Sequence, residues 1–193
     1  MKRKWINTFM ATVVIGGGFS AQRTNAVEPP AKASFVFREV EYFHRWSKGD
    51  QHEFTPEGQE DLEKWTDMIT VNGYPDVDNG DELATTANAV LENYKSNQAK
   101  VIKTNSVPRT PSRPAEHLIV VVFNRPAFAE VAFARLKLMD EKGYSYVYSH
   151  RVYGEKASEQ ASAWLSANGS KIEKGLMGWT SMPSAKSLQE ERL

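Results

Sequence analysis

The chain has 193 residues, with 24 Lys and Arg against 24 Asp and Glu, 40% hydrophobic residues and no cysteine. This is an ordinary globular composition and predicts one domain with a possible tail. The absence of cysteine excludes a disulfide framework, a thiol nucleophile, thiolate-ligated zinc or iron–sulfur centres and a lipid-bearing cysteine. The even charge argues against a nucleic-acid binder, which collects a basic surplus to displace counterions from phosphate.

The first 26 residues read as a secretory signal peptide. Met1-Lys2-Arg3-Lys4 is a positive start, Trp5 to Ala21 is mostly apolar, and Thr24-Asn25-Ala26 places small residues where a signal peptidase reads. Cleavage after Ala26 is the first choice and a cut near Ser20 or Ala21 the second. A membrane anchor is the alternative. The run is interrupted by Asn7 and three glycines, however, and falls short of the roughly 20 apolar residues of a span. Residues 1–26 carry four bases and no acid, so the exported chain keeps 20 basic against 24 acidic residues and is mildly acidic. Residues 27–33 form a spacer.

Ser34 to Ser47 is rich in aromatic and β-branched residues and predicts one long strand. Phe35, Phe37 and Phe43 then share one face, with Val36, Val40, Tyr42, His44 and Trp46 on the other. Ser47-Lys48-Gly49-Asp50 is turn chemistry, and Gln51 to Thr55 returns as a second arm. Trp65 to Val71 alternates as Trp65, Asp67, Ile69, Val71 against Thr66, Met68, Thr70 and reads as a third strand, ended by Asn72-Gly73-Tyr74-Pro75. A helix is predicted from about Gly80 to Asn97, capped by Asp78 or Asn79, with Leu83, Ala87, Val90, Leu91 and Tyr94 on one stripe. Lys100 to Val107 returns to strand before the proline-rich basic loop 108–114. Glu116 to Phe123, Phe128 to Leu138 and Tyr144 to Tyr153 follow as an antiparallel meander, the first apolar enough to be covered on both faces. Lys156 to Trp179 is helical, with an expected interruption at Asn168-Gly169 and a restart at the capping pair Ser170 and Glu173. Residues 180–193 lack an apolar period and read as a disordered tail.

The order of three strands, helix, four strands and helix gives an α+β domain over 34–179, an antiparallel sheet with helices packed on it. A cysteine-free exported domain with this order resembles the PsbP-like α/β/α sandwich, the fold of an extrinsic photosystem II subunit and of many small exported bacterial proteins. It also resembles a set of uncharacterised bacterial exported proteins. The likeness spans roughly Ser34 to Trp179 and rests on element order. It implies a non-catalytic accessory or binding role and transfers no site residue.

Candidate functional residues come from the aromatic and histidine stripes. Tyr42, His44 and Trp46 share one predicted strand face, and Tyr146, Tyr148 and His150, preceded by Tyr144, share another. A groove between them would offer flat apolar area with polar tips, and its histidines would make binding pH-sensitive between about pH 5 and 8. The competing reading of the tyrosine stripe is a sheet face covered by the helix that carries Trp164. His52 falls near His44 across the hairpin, with Glu53 or Glu41 nearby, but a zinc or copper site wants three protein ligands and no metal is assigned. Glu116-His117 is expected at a solvent-exposed strand edge. Asp76, Asp78, Asn79 and Asp81 concentrate oxygen ligands, yet Thr86 stands where a calcium loop needs Glu, so a helix-capping turn is preferred. Asn168-Gly169-Ser170 matches a glycosylation sequon that capping explains equally well.

No nucleophile elbow, phosphate loop or His-Glu-x-x-His helix occurs. The expectation is an exported, periplasmic or secreted protein that binds a protein or small ligand, without cofactor, nucleic acid or membrane span after signal cleavage. The alternative is a small hydrolase or metal-dependent enzyme using His44, His52 or His150. Two histidines converging with an acid would favour the enzyme, and dispersed histidines the binder.

Overall fold

The stretch predicted as one long strand is a hairpin. Ser34–Phe37 (β1) and Val40–Lys48 (β2) pair antiparallel. Between them Arg38 and Glu39 take φ of 48° and 68°, the left-handed pair that a tight two-residue hairpin turn demands and that usually selects Asn or Gly. With no such residue present, sequence reading runs straight through the turn. The reversal brings Phe35 opposite Tyr42 and Phe37 opposite Val40, so these aromatic residues share a face instead of dividing between two.

A computed structural model describes residues 34–111 and 113–183, all within one compact unit, Ala31–Leu193. The predicted signal peptide, the spacer and residues 184–193 of the predicted tail lie outside the described residues. After β2 come Gln51–Pro56 (β3), Asp67–Tyr74 (β4), helix Gly80–Ser96 (α1), Lys100–Val107 (β5), Glu116–Asn124 (β6), Phe128–Met139 (β7), Lys142–Tyr153 (β8) and helix Ala157–Gly178 (α2). Four strands therefore precede the first helix, not three. They form one eight-stranded antiparallel sheet in the order β1-β2-β3-β4-β8-β7-β6-β5. The α1 connection carries the chain from β4, mid-sheet, to the far edge, from which the meander returns to close against β4.

Each helix covers one face. Asn79 caps α1 by accepting from the Asp81 and Glu82 amides at 3.1 and 3.0 Å, so the acidic run before the helix is capping chemistry. Leu83, Ala87 and Tyr94 pack with Ile119, Val121, Ala132, Ala134, Leu136 and Val147. On the opposite face Ala161, Ile172 and Leu176 of α2 pack with Leu118, Val120, Val131, Phe133, Tyr146 and Tyr148. Strand β6 thus sends Leu118 and Val120 one way and Ile119 and Val121 the other, as a continuous apolar run requires. Each such fully buried side chain contributes on the order of 1.5–3 kcal/mol. Leu91, on the predicted apolar stripe of α1, and Trp164, on the helix that covers the tyrosine stripe, are only half-buried.

Three further expectations are corrected. Helix α2 is continuous through Asn168-Gly169, because Asn168 Nδ2 donates back to the Trp164 carbonyl at 3.0 Å. At Gly169 a Cβ would meet Leu165 Cδ1 at 2.8 Å, so the glycine serves packing; Ser170 begins no new helix. The chain also stays packed beyond α2: Met182 is buried and the Pro183 carbonyl accepts from Tyr146 Oη at 3.1 Å. Finally, Glu116 is 4% exposed and pairs with equally buried Arg135, so it does not stand in solvent.

Candidate functional site

The register that closes the sheet sets Asp67, at the start of β4, directly opposite His150 on β8. Both side chains lie on the α2 face, where alternation places Asp67 in line with buried Ile69 and Val71. One carboxylate oxygen, Asp67 Oδ1, accepts from Tyr148 Oη at 2.5 Å and from His150 Nδ1 at 3.0 Å. An ionised carboxylate only accepts, so both neighbours are the donors. Trp164 of α2 lies flat on the His150 imidazole, with ring centroids 3.9 Å apart and planes 6° from parallel, and is also stacked beside Tyr148 at 6.2 Å. Phe37 of β1 closes the inner side, 5.7 Å from the Tyr148 ring and 6.5 Å from that of Tyr42.

This seam runs between the β1–β2 hairpin and α2. Arg38 reaches over it from the hairpin turn and lies against Gly175, where a Cβ would come within 2.8 Å of the arginine Cδ. Burial, followed by the charge of Asp67, pushes the Tyr148 and Tyr42 hydroxyls far above the ordinary tyrosine value, with Arg38 opposing weakly. Both phenols are therefore locked as neutral hydroxyls. The Asp67 side chain keeps 27% of its exposure, against 11% for His150, so the carboxylate is the part of the cluster that faces solvent.

Of the six predicted site residues, the structure brings together Tyr42, Tyr148 and His150. Tyr146 belongs to the core; its hydroxyl is held by Met139 and Pro183. Trp46 leaves the face of Tyr42 and His44, because a β-bulge at Arg45 shifts the register between His44 and Trp46. The cause is Arg45 itself, whose guanidinium reaches Thr55 Oγ1 and the Pro56 carbonyl, both at 2.9 Å. His44 and His52 do approach each other, at 5.6 Å between ring centroids. They share the α2 face with Phe54, whereas Glu53 points to the other side and Glu41 accepts from Ser34 Oγ. No group of three or more His, Asp or Glu able to hold a metal ion occurs among the described residues. His150, paired with an acid, and the His44–His52 couple are separate features, so two histidines and an acid do not converge.

Sequence reasoning missed Asp67, although its place on the apolar side of an alternating strand was the available signal. His117 is half-buried, with Nδ1 2.9 Å from Ser106 Oγ, and burial lowers its pKa. It lines a cleft of about 350 Å³ with Arg109 and the start of α1, where Asn79 already takes the leading helix amides. No described helix is long and apolar enough to cross a membrane.

An eight-stranded antiparallel sheet with one helix on each face, and a carboxylate-centred aromatic seam beside the second helix, define a small α+β protein. A protein-family model matches residues 30–177, and the chain belongs to that family. Among solved structures it is similar to a point mutant of the protein Mog1, at 14% identity and a TM-score of 0.40, over 69% of this chain and 75% of that one. It is also similar to the Saccharomyces cerevisiae Ran-binding protein Mog1p, at 12% identity and a TM-score of 0.38, over 83% and 90%. Human STARD10 aligns at 9% identity and a TM-score of 0.29, over 79% and 82%. No curated protein matches the sequence.

Proposed function

We propose that this is an exported, non-catalytic binding or accessory protein of the PsbP-like kind, which engages a protein or small ligand at the seam between the β1–β2 hairpin and α2. The observation that carries the reading is the Asp67–Tyr148–His150 cluster beneath Trp164. A polar cluster in an apolar layer is seldom the most stabilising choice there, and this one sits at a seam with its carboxylate reaching solvent. Aromatic walls supply contact area at low entropic cost, and the carboxylate supplies orientation. Export rests on the charged, apolar and small-residue order of residues 1–26.

The test is affinity capture from the exported fraction, read by mass spectrometry, with wild type, Trp164→Leu, Asp67→Asn and the distant edge-strand variant Ile102→Thr. Thermal melts establish that each is folded. The reading expects a partner captured by wild type and Ile102→Thr and lost in the two seam variants. Equal capture by all four folded proteins overturns it.

A further inference from the structure

We propose that Gln59 is a positioning residue for the seam: it fixes the start of β4 so that Asp67 meets Tyr148 and His150 together, and this rests on the seam being a binding site, as proposed above. The pairing of β3 with β4 stops at Phe54 and Ile69, whereas β4 pairs with β8 along its whole length, beginning at Asp67 opposite His150. Asp67 is therefore held by β8 on one side and lies beyond the β3 ladder on the other. Gln59 stands in the missing place. Its Oε1 accepts from the Asp67 amide and from the preceding Thr66 amide, each at 2.8 Å, so one side-chain oxygen satisfies two backbone donors.

Gln59 is itself fixed from behind. Its amide donates to the Pro56 carbonyl at 3.2 Å, and its carbonyl accepts from Thr55 Oγ1 at 2.5 Å. A hydroxyl carries one proton, so Thr55 Oγ1 donates to Gln59 and accepts from Arg45 Nε at 2.9 Å, while Arg45 Nη2 reaches the Pro56 carbonyl at 2.9 Å. Thr55 is fully buried, and it alternates with Phe54, which places it on the side of the sheet opposite α2. A strut of hydrogen bonds thus passes from Arg45 through Thr55 and Gln59 to the Asp67 backbone and so to the seam.

This gives the β-bulge at Arg45 a purpose, since bulges re-aim side chains beside functional sites. The redirected Arg45 anchors the turn after β3, and the turn carries Gln59. The demand on Asp67 is strict: its Oδ1 accepts from both Tyr148 Oη and His150 Nδ1, and hydrogen bonds weaken steeply once their angles depart from linear. A binding group has to be held to within about 0.5 Å of its working position. Pairing with β8 alone leaves Asp67 at a strand end with one side loose.

Nuclear magnetic resonance of the intact protein with isotope-labelled histidine tests the role. The His150 imidazole signal is assigned by its loss in His150→Gln, and Asp67→Ala gives its position when the bond to Asp67 is absent. Gln59→Met removes the acceptor and should move the His150 signal toward the Asp67→Ala position. Gln59→Glu keeps an acceptor oxygen at the same reach and should return it. Glu63→Gln, in the same loop with its side chain outside the strut, should leave it in place. Urea melts establish that each variant is folded; if Gln59→Met is not, Gln59→Asn, one methylene too short to reach, should give a smaller shift in the same direction. A folded Gln59 variant with His150 at the wild-type position, or a shift that Gln59→Glu does not reverse, overturns the proposal. In the capture experiment above, Gln59→Met should lose the partner as Asp67→Asn does. Capture kept by Gln59→Met and lost in Asp67→Asn overturns the positioning role and leaves the seam standing as a binding site; capture kept by both is the failure of the seam reading instead.

Discussion

Arg135 joins the second helix to the sheet, and its removal gives a sharp stability prediction. Its Nε and Nη2 reach Glu116 Oε2 at 2.9 and 2.8 Å, while Nη1 donates to the Leu176 and Trp179 carbonyls at 2.7 and 2.9 Å. Helix α2 has no basic residue in its last turn, so a sheet arginine supplies the donors there, to the Trp179 carbonyl and to a Leu176 carbonyl that also accepts from the Trp179 amide at 3.3 Å. Those carbonyls position Trp179, whose ring packs 5.0 Å from Phe37 and 5.2 Å from Phe35. Arg135→Met takes from the buried Glu116 carboxylate its hydrogen-bonded partner, leaving only the cross-strand Lys137 charge, a loss of about 3–5 kcal/mol, against a total of about 5–15 kcal/mol for a domain. At an m-value of about 2 kcal/mol per molar urea, the midpoint should fall by roughly 2 M. Urea melts followed by tryptophan fluorescence and far-ultraviolet circular dichroism measure this. The double variant Arg135→Met/Glu116→Leu removes both charges together and should recover most of the loss. A single-variant loss below about 1 kcal/mol, smaller than breaking one buried pair should cause, would refute the reasoning. So would a double variant less stable than the single one.

Two further outcomes are expected. Burial raises the Glu53 pKa above its ordinary value of 4.5, so the stability this carboxyl contributes is present in full below that value and is lost as pH rises through the higher folded-state pKa. Glu53→Gln should therefore melt later than wild type near pH 7, with the difference gone below about pH 4. A variant less stable near neutrality would mean that attraction to Arg151 outweighs burial. If residues 1–26 are a signal peptide, N-terminal sequencing of exported protein should begin near Val27 or Ala21, and a soluble cytoplasmic pool retaining Met1 would count against export.

Local chemistry alone determined helix α1, its Asn79 cap and apolar stripe, the turn at Gly49, the three-strand meander and the double-faced burial of β6. Each depends on periodicity or turn residues within a few positions, and such signals survive in a linear sequence. The tyrosine stripe under Trp164 was legible for the same reason. What the sequence could not disclose depends on partners distant along the chain. The Arg38-Glu39 turn adopts left-handed angles in residues that do not advertise them, held by the pairing of β1 with β2. The bulge at Arg45 follows from bonds to Thr55 and Pro56 across the hairpin, and that one-residue shift moves Trp46 to the other face. Glu116 looked like a strand edge until Arg135, 19 positions later, met it in the core. The seam itself joins Asp67 to His150 across 83 positions, through a β4–β8 pairing that only the closure of the whole sheet brings about. Strand pattern sets which face a side chain takes, whereas the tertiary order of strands decides which side chains meet there.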